Sequence, residues 1–460
     1  MASPSSLDFA AGATRKLRLS EIIAALSHAL DMTQGQPRGH SVRVCWIGMQ
    51  IGRALGLESA SLSDLYYTLL VKDLGCSSTA ARICNHFIAD DLSFKRDVKM
   101  VDGSLAQALR FVLTHTGAEC GMTDRFKALY QTLQHGGSIT RELVETRCQR
   151  GAGIAARLRF DSTVSDAIHN LDEHWDGSGL PERKAGDEIP LFSQIALISQ
   201  VADVFRASGG PSAAIGEIAR RAGSWFEPGL AALFAEIAAD DAFWAPLDDP
   251  GLDARLGELE PDDTVRYADD DYLDDIATAF AEVIDSKSEY TAGHSERVCV
   301  YTDLIAAELG LAPAKRRWLK RAALLHDIGK LGISNRILDK AGKLSDDEFE
   351  TIKRHPVFSE EILSRIGVFA DIAVVGGGHH ERLDGKGYPR GLAGDEIGLD
   401  TRIVTTADIF DALTADRPYR QAMPTRSALG LMQDMVGTAI DPACFAALKN
   451  AIESEISSAA

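Results

Sequence analysis

Four absences narrow this 460-residue chain before any motif is considered. No run of 18 apolar residues occurs, so no membrane span is expected. The stretch from Met1 to Arg18 lacks the apolar core of a secretion signal. The seven cysteines form no Cys-x-x-Cys pair and no even framework, which points to a reducing cytoplasm rather than a disulfide scaffold. Basic residues are outnumbered 48 to 67, leaving a net charge of −19 that opposes binding to nucleic acid polymers and anionic membranes. A local basic cluster can still receive a small anion.

Strand-like alternation is also scarce. Apolar residues instead recur at helical spacing, as in Ile22, Ile23, Leu26 and Leu30, and again in Val44, Ile47, Ile51 and Leu55. The expected fold class is all-α, with enough apolar content for more than one core. Residues 1–18 read as a disordered N-terminus. Residues 241–271 read as a solvated linker, because 240–275 holds fourteen acidic residues, two arginines and the breaks Pro246, Pro250 and Pro261.

The chain repeats itself across that linker. Gly39-His40-Ser41-Val42-Arg43-Val44 matches Gly293-His294-Ser295-Glu296-Arg297-Val298 at an offset of 254, and Asp73 matches Asp327 at the same offset. Further on, Asp176-Gly177-Ser178-Gly179-Leu180-Pro181 matches Asp384-Gly385-Lys386-Gly387-Tyr388-Pro389 at an offset of 208. The expectation is two copies of one helical unit, residues 19–240 and 272–460, with an insertion in the first near 80–140. Matching Ala202-Asp203-Val204-Phe205 to Ala407-Asp408-Ile409-Phe410 pairs Asp203 with Asp408, and His355 is paired with Cys148.

The copies differ where chemistry matters. His326-Asp327 is Lys72-Asp73 in the first copy, and His379-His380 is Leu171-Asp172. The first copy reads as a degenerate scaffold, with a single zinc on His40, Asp73, Cys148 and Asp203 as a minor alternative. The second holds five histidines, His294, His326, His355, His379 and His380, all in motif-like settings, joined by Asp327 and Asp408. Seven such ligands exceed one tetrahedral site and suit two divalent ions of octahedral type. Asp327 is the natural bridge. Paired ions favour in-line displacement at phosphorus.

Residues 272–447 resemble the HD-GYP branch of the HD phosphohydrolases. The resemblance rests on His326-Asp327-Ile328-Gly329-Lys330, Arg354-His355-Pro356, His379-His380-Glu381, Gly387-Tyr388-Pro389 and Asp408 running on to Asp416-Arg417-Pro418-Tyr419-Arg420. It implies a helical bundle, a bimetallic centre of iron or manganese, and hydrolysis of cyclic di-GMP to pGpG or GMP. It places His294, His326, Asp327 and Asp408 on one ion, and His355, His379, His380 and the bridging Asp327 on the other. His326, Asp327 and Lys330 become the catalytic group, with Lys330, Arg417, Arg420 and the Gly387-Tyr388-Pro389 loop at the substrate. Tyr290 stands where some members carry a carboxylate for a third ion, so two ions are expected. Beside this reading stand hydrolysis of another cyclic dinucleotide such as cyclic GMP-AMP, and a non-catalytic sensor. The loop also leaves open a homodimer or signalling partner docked on it.

Overall fold

The computed structural model describes residues 17–416 and 421–459, except 103, 119 and 250. The N-terminal reading therefore falls outside the described residues up to position 16, while Leu17–Arg18 (β1) pairs antiparallel with Tyr267–Ala268 (β2). Those four residues form the one sheet among the described residues; the fold is all-α.

The first copy comprises α1 (Leu19–Thr33), α2 (His40–Ala54), α3 (Ser59–Val71), α4 (Ala80–Phe87), α5 (Asp91–Val98), α6 (Leu105–His115), α7 (Met122–Arg157), α8 (Ser162–His169), α9 (Leu191–Arg221) and α10 (Pro228–Ile237). Two short helices follow, α11 (Asp241–Trp244) and α12 (Leu252–Arg255). The second copy runs through α13 (Asp270–Asp285), α14 (His294–Glu308), α15 (Pro313–Leu325), α16 (Asn335–Leu338), α17 (Asp346–Ile352), α18 (His355–Leu363), α19 (Ala370–Gly378), α20 (Leu399–Thr414), α21 (Thr425–Gln433) and α22 (Pro442–Ala459). The repeated glycines have a backbone reason. Gly39 and Gly293, before α2 and α14, take φ of 81° and 67°, a left-handed conformation that disfavours a Cβ. Gly75 and Gly329 lie so close to the backbone of Arg147 and His355 that a Cβ would strike the carbonyl oxygen.

The first helix of each copy packs on its own unit and also on the other. In the second copy α13 packs on its own α14 and α15 but also on α7 and the Cys76–Thr79 turn of the first. Reciprocally, α1 packs on the Ile328–Gly332 turn and on α18 of the second. One continuous apolar core spans both units, with a small satellite of Ile83, Phe87, Phe94 and Phe111 under the inserted helices.

The stretch expected as a solvated linker is packed. Trp244, Leu247, Leu252, Leu256 and Leu259 are all buried in the shared core. Tyr67 donates to Glu260 at 2.6 Å, and Arg266 pairs with Asp64 at 2.8 Å. Apolar side chains spaced among the acids turn inward while most carboxylates stay in water, so high charge did not prevent order.

Candidate metal centre

His326 and Asp327 follow directly on α15, whose apolar end carries them into the interior. His294 opens α14, His355 opens α18, His379 and His380 directly follow α19, and Asp408 lies inside α20. Burying five imidazoles and two carboxylates together is unfavourable without a compensating cation. The structure nonetheless brings all seven to one place.

Asp327 divides them. Its Oδ2 lies 3.3 Å from Nε2 of His294 and 3.3 Å from Nε2 of His326. Asp408 Oδ1 completes this side, 3.5 Å from His294 Nε2 and 4.0 Å from His326 Nε2. On the other side Asp327 Oδ1 lies 3.4 Å from His355 Nε2 and 3.5 Å from His379 Nε2. Ligand atoms of His355, His379 and His380 form one tight cluster, and those of His294, His326 and Asp327 another.

The back of four of the five rings is fixed. Nδ1 of His326, His355 and His379 faces the carbonyl of Ala323, Ile352 and Gly376 at 2.7, 2.7 and 2.8 Å. His294 Nδ1 faces Asp411 Oδ2 at 2.7 Å. With the proton held there, each Nε2 turns its lone pair to the centre. His294 Nε2, His326 Nε2 and Asp327 Oδ1 are buried without a hydrogen-bond partner, as expected of atoms meant for a metal ion. Burial pushes His355 down to about 3, leaving it neutral and ready to ligate. Burial opposes charge on His294 too, but Asp327 and Asp411 carry it up to about 9. Without metal, a proton takes the cation's place. Lys330 does the same at Asp327, its ammonium paired with Oδ2.

Tyr388 leans on the His380 ring, with centroids 4.8 Å apart. Gly387 has no room for a Cβ against the backbone of His380, Glu381 and Arg382, and Pro389 follows it in the turn. The buried Glu381 carboxylate holds this loop by accepting from the amides of Arg390 and Leu392 at 2.7 and 2.9 Å. The centre opens into a cavity of about 240 Å³ whose walls include Lys287, Ser288, Tyr290, Lys330, Lys340 and Tyr388. Arg417 and Arg420 lie outside the described residues.

Two sequence pairings need correction. Asp203 meets His40 Nδ1 at 2.7 Å and Arg43 Nε at 2.7 Å, as Asp411 meets His294 and Arg297. Asp203 is therefore the counterpart of Asp411, and Gln200 that of Asp408, which the 208 offset of the glycine motifs also gives. At that offset Arg147, not Cys148, stands for His355, consistent with the matching approaches of Gly75 and Gly329. Among the described residues both candidate metal clusters belong to the second copy, so the minor zinc reading has no support.

Sequence reasoning missed Asp411. Replacing it by asparagine is expected to lower metal affinity 10–100-fold while the chain stays folded, the usual effect of loosening a ligand's outer partner. Competition titration of metal against a chromophoric chelator measures it, and an unchanged affinity would show that the ring needs no such anchor.

Comparison with known proteins agrees with the tandem repeat. A family described as "HD domain" matches residues 118–230 and 278–444. The 3'3'-cGAMP-specific phosphodiesterase 3 of Vibrio cholerae is 51% identical over 434 residues, 94% of either chain. The 3'3'-cGAMP-specific phosphodiesterase 1 of that organism is 36% identical over 77% of this chain and 86% of its own. A cyclic di-GMP phosphodiesterase response regulator of Xanthomonas campestris is 42% identical over 36% of this chain and 45% of its own. A crystal structure of a cyclic GMP-AMP-specific phosphodiesterase of V. cholerae superposes with a TM-score of 0.66 at 46% identity, covering 95% of this chain and 98% of that one. No described helix is long and apolar enough to cross a membrane.

Proposed function

This chain belongs to the HD-domain family, and from that premise we propose that it is a metal-dependent phosphodiesterase hydrolysing 3'3'-cyclic GMP-AMP at the centre of its second copy. The carrying observation is similarity along almost the whole chain, both copies included, to a phosphodiesterase named for that substrate. The cyclic di-GMP relative above matches only about a third of the chain, so the cyclic di-GMP expectation gives way to the alternative kept beside it.

Two divalent ions, held by His294, His326 and Asp408 on one side, His355, His379 and His380 on the other, and Asp327 between, would supply Lewis acidity and a water acidified enough to attack phosphorus. Iron and manganese both suit these donors. The chain's own residues prepare the reaction. The Nδ1 anchors of His294, His326, His355 and His379 hold those four rings aimed, Nε2 toward the centre. Lys330 sits beside Asp327, where its ammonium can take charge from a phosphoryl oxygen as substrate enters. Tyr388 packs on the His380 ring in the cavity wall, where it can shape the approach of substrate. Water oxygen bonds to phosphorus, one bridging ribose oxygen leaves with a proton, and the ring opens to a linear dinucleotide.

Incubating the Mn(II)- or Fe(II)-loaded chain with each cyclic dinucleotide and separating the products tests this. The expected kcat/KM for 3'3'-cyclic GMP-AMP exceeds that for cyclic di-GMP at least tenfold, about 1.4 kcal/mol of discrimination. Equal or reversed preference overturns the substrate, and tight binding without turnover favours the sensor.

A further inference from the structure

The catalytic unit does not build its own cavity wall unaided. Asp91, the first residue of α5 in the first copy, is fully buried. Its Oδ1 accepts the backbone N–H of Asn335 at 2.8 Å and lies 3.1 Å from the hydroxyl of Ser334, a donor to it. Its Oδ2 lies 3.3 Å from Nζ of Lys287 and 3.6 Å from Nζ of Lys95. Ser334, Asn335 and Lys287 all belong to the second copy.

Those partners lie at the base of two walls. Asn335 Nδ2 donates to the Lys287 carbonyl at 2.6 Å and to Asp339 Oδ2 at 2.7 Å. The other Asp339 oxygen accepts from Ser288, whose hydroxyl oxygen also receives the Tyr290 N–H at 3.1 Å. One wall, Lys287 to Thr291, leads into the ligand His294; the other, Ile337 to Lys340, directly follows Ser334, Asn335 and Arg336 in the chain. The Asp91 carboxylate is tied to both. Without its charge two buried ammonium groups lose their counter-ion and repel, and Lys287, already lining the cavity, has cause to swing into it.

Resting on the phosphodiesterase reading, we propose that Asp91 is a positioning residue for substrate: through it the first copy fixes the width of the second copy's cavity. It touches neither metal ligand nor reacting atom, so its removal should act on substrate binding. In Mn(II)-loaded full-length protein, Asp91→Asn is expected to raise KM for 3'3'-cyclic GMP-AMP about tenfold. It should leave kcat within about twofold, and it should keep wild-type metal content and wild-type turnover of bis(4-nitrophenyl) phosphate, a diester without the second phosphate and bases. Ser334→Ala removes one contact of the same carboxylate and should raise KM about threefold, which keeps the test sound if Asp91→Asn fails to fold. Lys287→Met with Asp91→Asn should be no worse than the worse single change, because both act through one pair. Unchanged KM in folded variants, or loss of kcat and metal together, overturns the proposal. A wild type that hydrolyses no cyclic dinucleotide overturns the function as well, so the two failures are distinguishable.

Discussion

Asp327→Asn is expected to lower turnover on the order of a thousandfold, about 4 kcal/mol in barrier, and to leave fewer metal ions bound than in the wild type. The reason lies in the two oxygens. Oδ2 faces His294 and His326, Oδ1 faces His355 and His379, and each side needs one. An asparagine keeps the shape but offers one acceptor, and its amide N–H groups point at a cation or at lone pairs aimed inward. It also removes one of only two carboxylates set against two divalent charges. Asp408→Asn touches one side alone, so its loss of turnover should be smaller and should come with one ion retained. Elemental analysis of anaerobically purified variants beside product assays measures both. An Asp327→Asn protein that kept two ions and turned over within tenfold of wild type would dismiss the shared-carboxylate reading.

The candidate ligands that the structure brings together were legible because they cluster in motifs; the groups that hold them were not. In α20 two aspartates stand three residues apart, Asp408 and Asp411, one helical turn. Either can be matched to Asp203 by its local neighbours, and the choice that maximised identity was wrong. Only the 208 offset, carried over from the glycine motifs, separates the ligand from the residue behind His294. The acidic stretch misled for another reason. Its charge count is real, but Trp244, Leu247, Leu252, Leu256 and Leu259 decide its packing, and sparse apolar residues in short helices leave no periodicity to read. Asp91 could not have been found at all, since its partners Lys287 and Asn335 are distant in sequence and sit on the other copy.

The first copy shows what becomes of such a centre when the ligands change. His40 and Asp73 persist, but Lys72 replaces His326, Arg147 replaces His355, Asp172 replaces His380 and Gln200 replaces Asp408. The protein's own cations fill the role of metal. The Lys72 ammonium pairs with Asp73 Oδ2, Lys99 Nζ lies 3.9 Å from the other oxygen and donates to Gln200 at 3.1 Å, and Arg147 pairs with Asp172. Burial opposes charge on Asp73, yet Lys72 and Lys99 outweigh it and hold the carboxyl far below its ordinary 3.8. Lys72→Met keeps the volume and leaves the carboxylate with the Cys76 thiol and the more distant Lys99, so it should destabilise by about 3 kcal/mol. In a thermal scan that is a fall of roughly 6–12 °C in the first transition. The sign with pH follows from the depressed value: the stabilisation is complete above 3.8 and fades as pH falls below it, so variant and wild type should converge in acid. Metal content should stay at the wild-type figure, because Arg147 and Leu171 still offer no donor and Gln200 offers only a neutral amide oxygen. Turnover per folded chain should hold within about twofold, the reacting groups being in the other copy. An unmoved transition would mean that Lys99 and Cys76 satisfy Asp73 without Lys72, and an extra bound ion would mean that this copy had lost its metal to a single lysine.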